Sequence, residues 1–156
     1  IFINMITVKL YRIGHFFHKC GFVKVAKSIS YLNRVLFGGW IPSSAEIGEN
    51  FKCGYGGIGV VIHNDTKIGN NCVIAQNVTI GRKFRDEKVP VIGNDVYIGA
   101  NSVVFGEITI GNNVIIGAGS VVDKDVPDNS TVFGNPMRII ESDRRKRYYE
   151  LDVKRK

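Results

Sequence analysis

From residue 62 onward an aliphatic residue returns every six positions: Ile62, Ile68, Ile74 and Ile80, then Ile92, Ile98, Val104, Ile110, Ile116 and Val122. Four positions after most of them stands a second small or β-branched residue, at Thr66, Cys72, Val78, Val96, Ser102, Ile108, Val114, Ser120 and Val126. A period of six fits neither an amphipathic helix nor a long alternating strand. It fits short strands joined by sharp turns, where Gly and Asn supply unusual dihedrals. The repeat therefore predicts a mainly β fold, a parallel β-helix in which each coil buries its aliphatics only by stacking on its neighbours. These residues are core, each contributing ~1.5–3 kcal/mol when fully buried, and they carry no chemistry.

Two interruptions define the rest. Residues 5 to 37 read as two helices separated by Gly21, with Ile6, Leu10, Ile13, Phe17 and Cys20 on one apolar face and Phe22, Ala26, Ile29, Leu32 and Leu36 on the other. "FGGWIP" ends them. Between Ile80 and Ile92 the six-residue phase survives, yet "GRKFRDEKVPV" puts Asp86 and Pro90 where core residues would stand, so a loop is extruded over residues 82–91. Loops carried on a rigid scaffold commonly hold function. The expected organisation is a two-helix segment (1–40), a β-helix (41–139) and a basic tail (140–156).

The net charge of +7 is uneven. Residues 1–45 hold six Lys/Arg and no acid, whereas residues 46–141 hold eight against eleven acids. The tail "RRKRYYELDVKRK" is basic again, but no nucleic-acid recognition motif accompanies it, and it reads as a solvated helix. Together the basic ends suggest peripheral contact with an anionic membrane. Cys20, Cys53 and Cys72 match no metal or redox spacing, which suits free thiols in a cytoplasmic setting. Lys9 and Arg12 interrupt the apolar start too early for a signal segment, and Met5 suits a native start. His63 is the only histidine on the repeat, so a three-histidine zinc site is not expected.

In order along the chain, "YRIGHFFHKCG", "IPSSAEIG", "QNVTIG", the extruded loop, "IGAGSVV" and "VPDNSTVFGNPMRII" resemble the hexapeptide-repeat acyltransferases of the serine acetyltransferase branch. That resemblance implies a left-handed β-helix, a homotrimer and acetyl-CoA as co-substrate. The chain keeps only two of the N-terminal helices that serine acetyltransferases carry, which places it nearer the shorter O-acetyltransferases of colanic-acid-like and capsular glycans. Two departures point the same way: Gly54 and Tyr55 stand about where that branch has an Asp-His pair, and Lys88-Val89 replaces the Arg-His that holds the serine carboxylate. The expectation is thus O-acetylation of a sugar hydroxyl, with serine O-acetylation or an inactive assembly subunit as alternatives.

Acetyl transfer from a thioester needs a base for the acceptor hydroxyl, donors for the oxyanion and alignment of both substrates. By intrinsic pKa His63 is the best-suited base on the repeat. Counted by eighteens, His63, Gly81, Gly99 and Gly117 fall on one corner of successive coils, in line with a cofactor groove. Asp65 is placed to orient the base or meet the acceptor, with Tyr55, Asp86 and Lys88 as further acceptor contacts. By resemblance, Gly99-Ala100 and Gly117-Ala118 let pantetheine approach the backbone, and Lys124 and Arg138 meet coenzyme A phosphates near "GNP" at 134–136.

Overall fold

The structure, a computed structural model, describes residues 2–151, with side chains from residue 6, so Met5 and the last residues of the basic tail lie outside the described side chains. Helices α1 (Phe2–Lys19) and α2 (Val23–Phe37) precede a left-handed parallel β-helix of short strands. Each coil visits three faces in turn. Face I stacks β1 (Glu46–Ile47), β4 (Lys67–Ile68), β7 (Val91–Ile92) and β10 (Thr109–Ile110). Face II stacks β2 (Lys52–Cys53), β5 (Val73–Ile74), β8 (Tyr97–Ile98), β11 (Ile115–Ile116) and β13 (Thr131–Phe133), closed by antiparallel β14 (Arg138–Glu141). Face III stacks β3 (Val61–Ile62), β6 (Thr79–Gly81), β9 (Val103–Phe105) and β12 (Val121–Val122). The second residue of each parallel pair points inward, and the repeat's aliphatics and their small companions are buried together, from Ile62 and Thr66 through Val122 and Val126.

The I/II corner shows why the repeat is rich in "GNN". Asn50, Asn71, Asp95, Asn113 and Asn129 all adopt left-handed backbone conformations, which short polar side chains tolerate. The residue before each supplies a ladder: Asn70, Asn94, Asn112 and Asp128 accept backbone N–H bonds of 2.7–2.9 Å from Glu49, Asn70, Asn94 and Asn112 of the preceding coil. Each coil thus caps the next.

The loop corrects the register expected from counting. On face III the inward residues Ile62, Ile80, Val104 and Val122 are 18, 24 and 18 residues apart. Residues 82–90 add one hexapeptide's length to that coil, so the sixfold phase is kept while the face assignment slips. Gly81 pairs with Phe105, and Gly99 and Gly117 belong to the II/III corner instead of the His63 corner.

The helices also turn a different face inward. Thr7, Tyr11 and Gly14 of α1 and Ala26, Ser30 and Asn33 of α2 are buried, while Ile6, Ile13, Leu32 and Leu36 are exposed. The reason is the open end of the first coil, whose carbonyls have no preceding strand to meet. Thr7 Oγ1 donates to Gly56 O (2.6 Å), Tyr11 OH to Ala45 O (2.7 Å), and the Arg12 guanidinium to the carbonyls of Ile47 and Gly48. Polar capping outweighs apolar periodicity here.

The tail is a strap, not a solvated helix. It runs back along the I/II corner, where Arg144 is buried and its guanidinium donates to Asn113 O, to Asn113 Oδ1 (3.0 Å) and to Thr131 Oγ1 (3.3 Å). Further on, Tyr149 OH donates to Asp95 Oδ1 (3.0 Å) and Tyr148 OH to Asn71 O (2.8 Å). Replacing Arg144 with Met strands these acceptors and is expected to cost about 1–3 kcal/mol in urea unfolding; an unchanged midpoint would show that the strap carries no stability.

Candidate active site

The III/I corner gathers the predicted base and the extruded loop. His63 follows the inward Ile62 and leaves the second coil there, its side chain 31% exposed, with its backbone N–H bonded to Ile80 O (2.9 Å). Nδ1 is turned to Asp65: it accepts the Asp65 backbone N–H at 3.3 Å, and the Asp65 carboxylate lies 3.6 Å away. These partners favour opposite tautomers. When the exposed Asp65 carboxylate takes an Nδ1–H, the lone pair is on Nε2, the arrangement a base requires.

One coil above, the extruded loop leaves this same corner after Gly81. It is pinned upward by its own charges. Lys83 reaches Asp123 (3.8 Å) and packs over the Phe105 ring, Asp86 accepts the Glu107 backbone N–H (3.0 Å), and Lys88 pairs with Glu107 (2.5 Å). Glu107 holds the Lys88 pKa above its ordinary value. Asp86 and Lys88 are therefore engaged in fixing the loop, and Val89, beside them, is buried. Phe84 at the tip is 97% exposed. Lys124 lies on this corner in the last coil.

The II/III corner holds the other group. Tyr55 stands there in the first coil, in left-handed conformation (φ 49°, ψ 36°) and 72% exposed, on the far side of face III from His63. Gly99-Ala100 and Gly117-Ala118 follow above it. A Cβ on Gly99 would meet Ala118 N at 2.5 Å, so coil stacking alone demands that glycine. Between the two corners face III presents Val61, Thr79, Val103 and Val121 outward, a low surface of small β-branched residues. Arg138 lies on β14, and neither it nor Lys124 has an ion-pair partner among the described residues.

The two buried cysteines do not enter the chemistry. Burial pushes the Cys53 thiol up to about 12 and the Cys72 thiol to about 11, so neither provides a thiolate at neutral pH. Among the described residues no cluster of His, Cys, Asp or Glu is placed to hold a metal, and no helix is long and apolar enough to cross a membrane.

Residues 90–124 match the family model described as bacterial transferase hexapeptide (six repeats). A serine acetyltransferase of Helicobacter pylori is 39% identical over 136 residues, 86% of this chain and 79% of that protein. The chain belongs to the serine acetyltransferase family. A crystal structure of the serine acetyltransferase from Brucella abortus superposes with a TM-score of 0.83 at 30% identity, over 88% of this chain and 56% of the other. The same enzyme in complex with coenzyme A superposes with a TM-score of 0.81 at 31% identity, over 85% and 54%. The chain thus spans a little over half the length of these solved relatives.

Family membership makes the chain an acyltransferase and corrects the expected glycan acceptor: proteins of Bacillus subtilis and Staphylococcus xylosus, each 41% identical, are serine acetyltransferases like that of Helicobacter. Size does not separate the two groups, because this chain spans 79% of the Helicobacter serine acetyltransferase. Lys88-Val89 marks only the loss of the Arg-His from the loop and does not specify a sugar in its place. The expected homotrimer gains no support from these relatives. Nor does the anionic membrane, since the tail's Arg144 and Arg147 are spent on the chain's own corners. Sequence reading also missed the wall that the connection from α2 to β1 contributes next to Asn64, where Ser44 Oγ donates to Asn64 O (3.1 Å). The acid-free charge of residues 1–45 was its only signal.

Proposed function

We propose that this chain transfers the acetyl group of acetyl-CoA to the hydroxyl of L-serine, releasing O-acetylserine and coenzyme A. The observation that carries this is the 39% identity to a serine acetyltransferase across 86% of the chain; the relative solved with coenzyme A supports the co-substrate. In this reading His63 Nε2 takes the hydroxyl proton as the serine oxygen attacks the thioester carbon, and the imidazolium returns that proton to the departing sulfur. Asp65 steadies the charged ring through Nδ1. Gly99, Ala100, Gly117 and Ala118 wall the pantetheine arm, which reaches His63 across the low surface of face III. Lys124 and Arg138 pair with phosphates, and Tyr55 borders the site from the II/III corner. Two free buried thiols suit a reducing, cytoplasmic setting.

The test is thiol release from acetyl-CoA with and without L-serine. Release that saturates with serine is expected; release that is independent of serine would overturn the proposal.

A further inference from the structure

A hollow of about 200 Å³ lies where α1 and α2 meet the first coil, lined among others by His18, Lys27, Trp40, Ser43, Ser44 and Asn64. Asn64 is the residue after His63, so this hollow opens one residue from the proposed base. Its polar walls differ in kind. The hydroxyls of Ser30 and Ser43 are buried and committed to each other (2.7 Å), and Ser43 also donates to Ala26 O (2.9 Å). Neither the Lys27 ammonium nor the His18 ring has a partner among the described residues.

No carboxylate on the helices offsets this charge, because the first acid in the chain is Glu46. Glu46 lies outside the hollow's lining and is held between Lys19 (3.9 Å) and Lys67 (3.6 Å). On the coil side the nearest acid is Asp65, which faces His63 Nδ1. The first turn of α2 also borders the hollow and contains no acid, leaving its positive end uncompensated. A concave site lined by the residue that follows the proposed base, with an unpaired ammonium and no internal counter-charge, is built for a small anion.

From this geometry, and resting on the serine reading above, we infer that the hollow is the acceptor pocket and that Lys27 binds the serine carboxylate. This supplies what the loop lacks, since Lys88 is bound to Glu107 and Val89 is buried. It also gives the acid-free helices a role: they hold a positive field over the pocket.

The experiment compares L-serine with L-serinamide, which keeps the hydroxyl and removes the negative charge, as acceptors for wild type, Lys27→Met and Lys27→Arg. Lys27 is exposed on α2, and an unchanged KM for acetyl-CoA will show that the variants are folded. Wild type is expected to favour serine in kcat/KM. Lys27→Met is expected to reduce that preference by about 10- to 100-fold, and Lys27→Arg to keep most of it. A Lys27→Met enzyme as selective as wild type overturns the inference and leaves the serine reaction standing, as does a wild type that accepts serinamide equally well. A wild type that turns over neither acceptor overturns both.

Discussion

Alanine at position 63 is expected to lower kcat by ~10²–10⁴-fold, the usual contribution of a positioned general base. The fold should survive, because the ring's one bond to the main chain is the long 3.3 Å one from the exposed Asp65 N–H, and the bonds that tie His63 to the neighbouring chain are main-chain ones, its N–H to Ile80 O and its carbonyl from the Thr66 N–H. KM for acetyl-CoA should change little, since the proposed cofactor wall lies on the II/III corner. The measurement is steady-state thiol release with saturating L-serine, with urea unfolding as the control. Asp65→Asn should cost less than loss of the ring, because it removes only the charge that steadies it. If His63→Ala keeps wild-type kcat, the base lies elsewhere and the III/I corner loses its claim to the chemistry.

The second large effect concerns the stack itself. Ile98 is buried between Ile74 below and Ile116 above on face II. Ile98→Ala is expected to destabilise the chain by about 2–5 kcal/mol, combining lost transfer energy with an unfilled cavity that rigid neighbouring coils cannot close. Ile139→Ala on β14, where the side chain is 45% exposed, should stay within about 0.5 kcal/mol of wild type. Comparable losses at the two positions would mean that the repeat is not the stabilising core.

The contrast between these two isoleucines shows what the sequence makes legible. A strict sixfold phase identifies the inward residues because every coil imposes the same three-sided geometry, and Ile62 through Val122 follow it. The phase cannot say which face an isoleucine joins: an insertion of one full hexapeptide leaves the period intact and moves everything after it by one face. Gly99 was therefore assigned to the wrong corner. The helices misled for another reason. Their exposed apolar positions have strong periodicity, whereas Thr7, Tyr11 and Arg12, which cap the first coil, and Asn33, which donates to Thr7 O, are polar and have none. Arg144 was hidden in a run of cations because burial of its guanidinium depends on the carbonyl and side-chain oxygens of Asn113, more than thirty residues away in sequence.

The site divides similarly. His63 was visible from residue type and placement after a core isoleucine, and Asp65 from its nearness. Lys88 looked free because its partner Glu107 sits on the next coil. The hollow beside His63 was out of reach, since it joins α1, α2 and two coils that no local motif links.

The most direct measurement is identification of the product formed from acetyl-CoA and L-serine by the purified chain, by mass spectrometry alongside coenzyme A release. The account predicts serine heavier by one acetyl group, carried as an ester on the hydroxyl and formed one-for-one with coenzyme A. Coenzyme A release without acetylated serine, or no release at all, would contradict it.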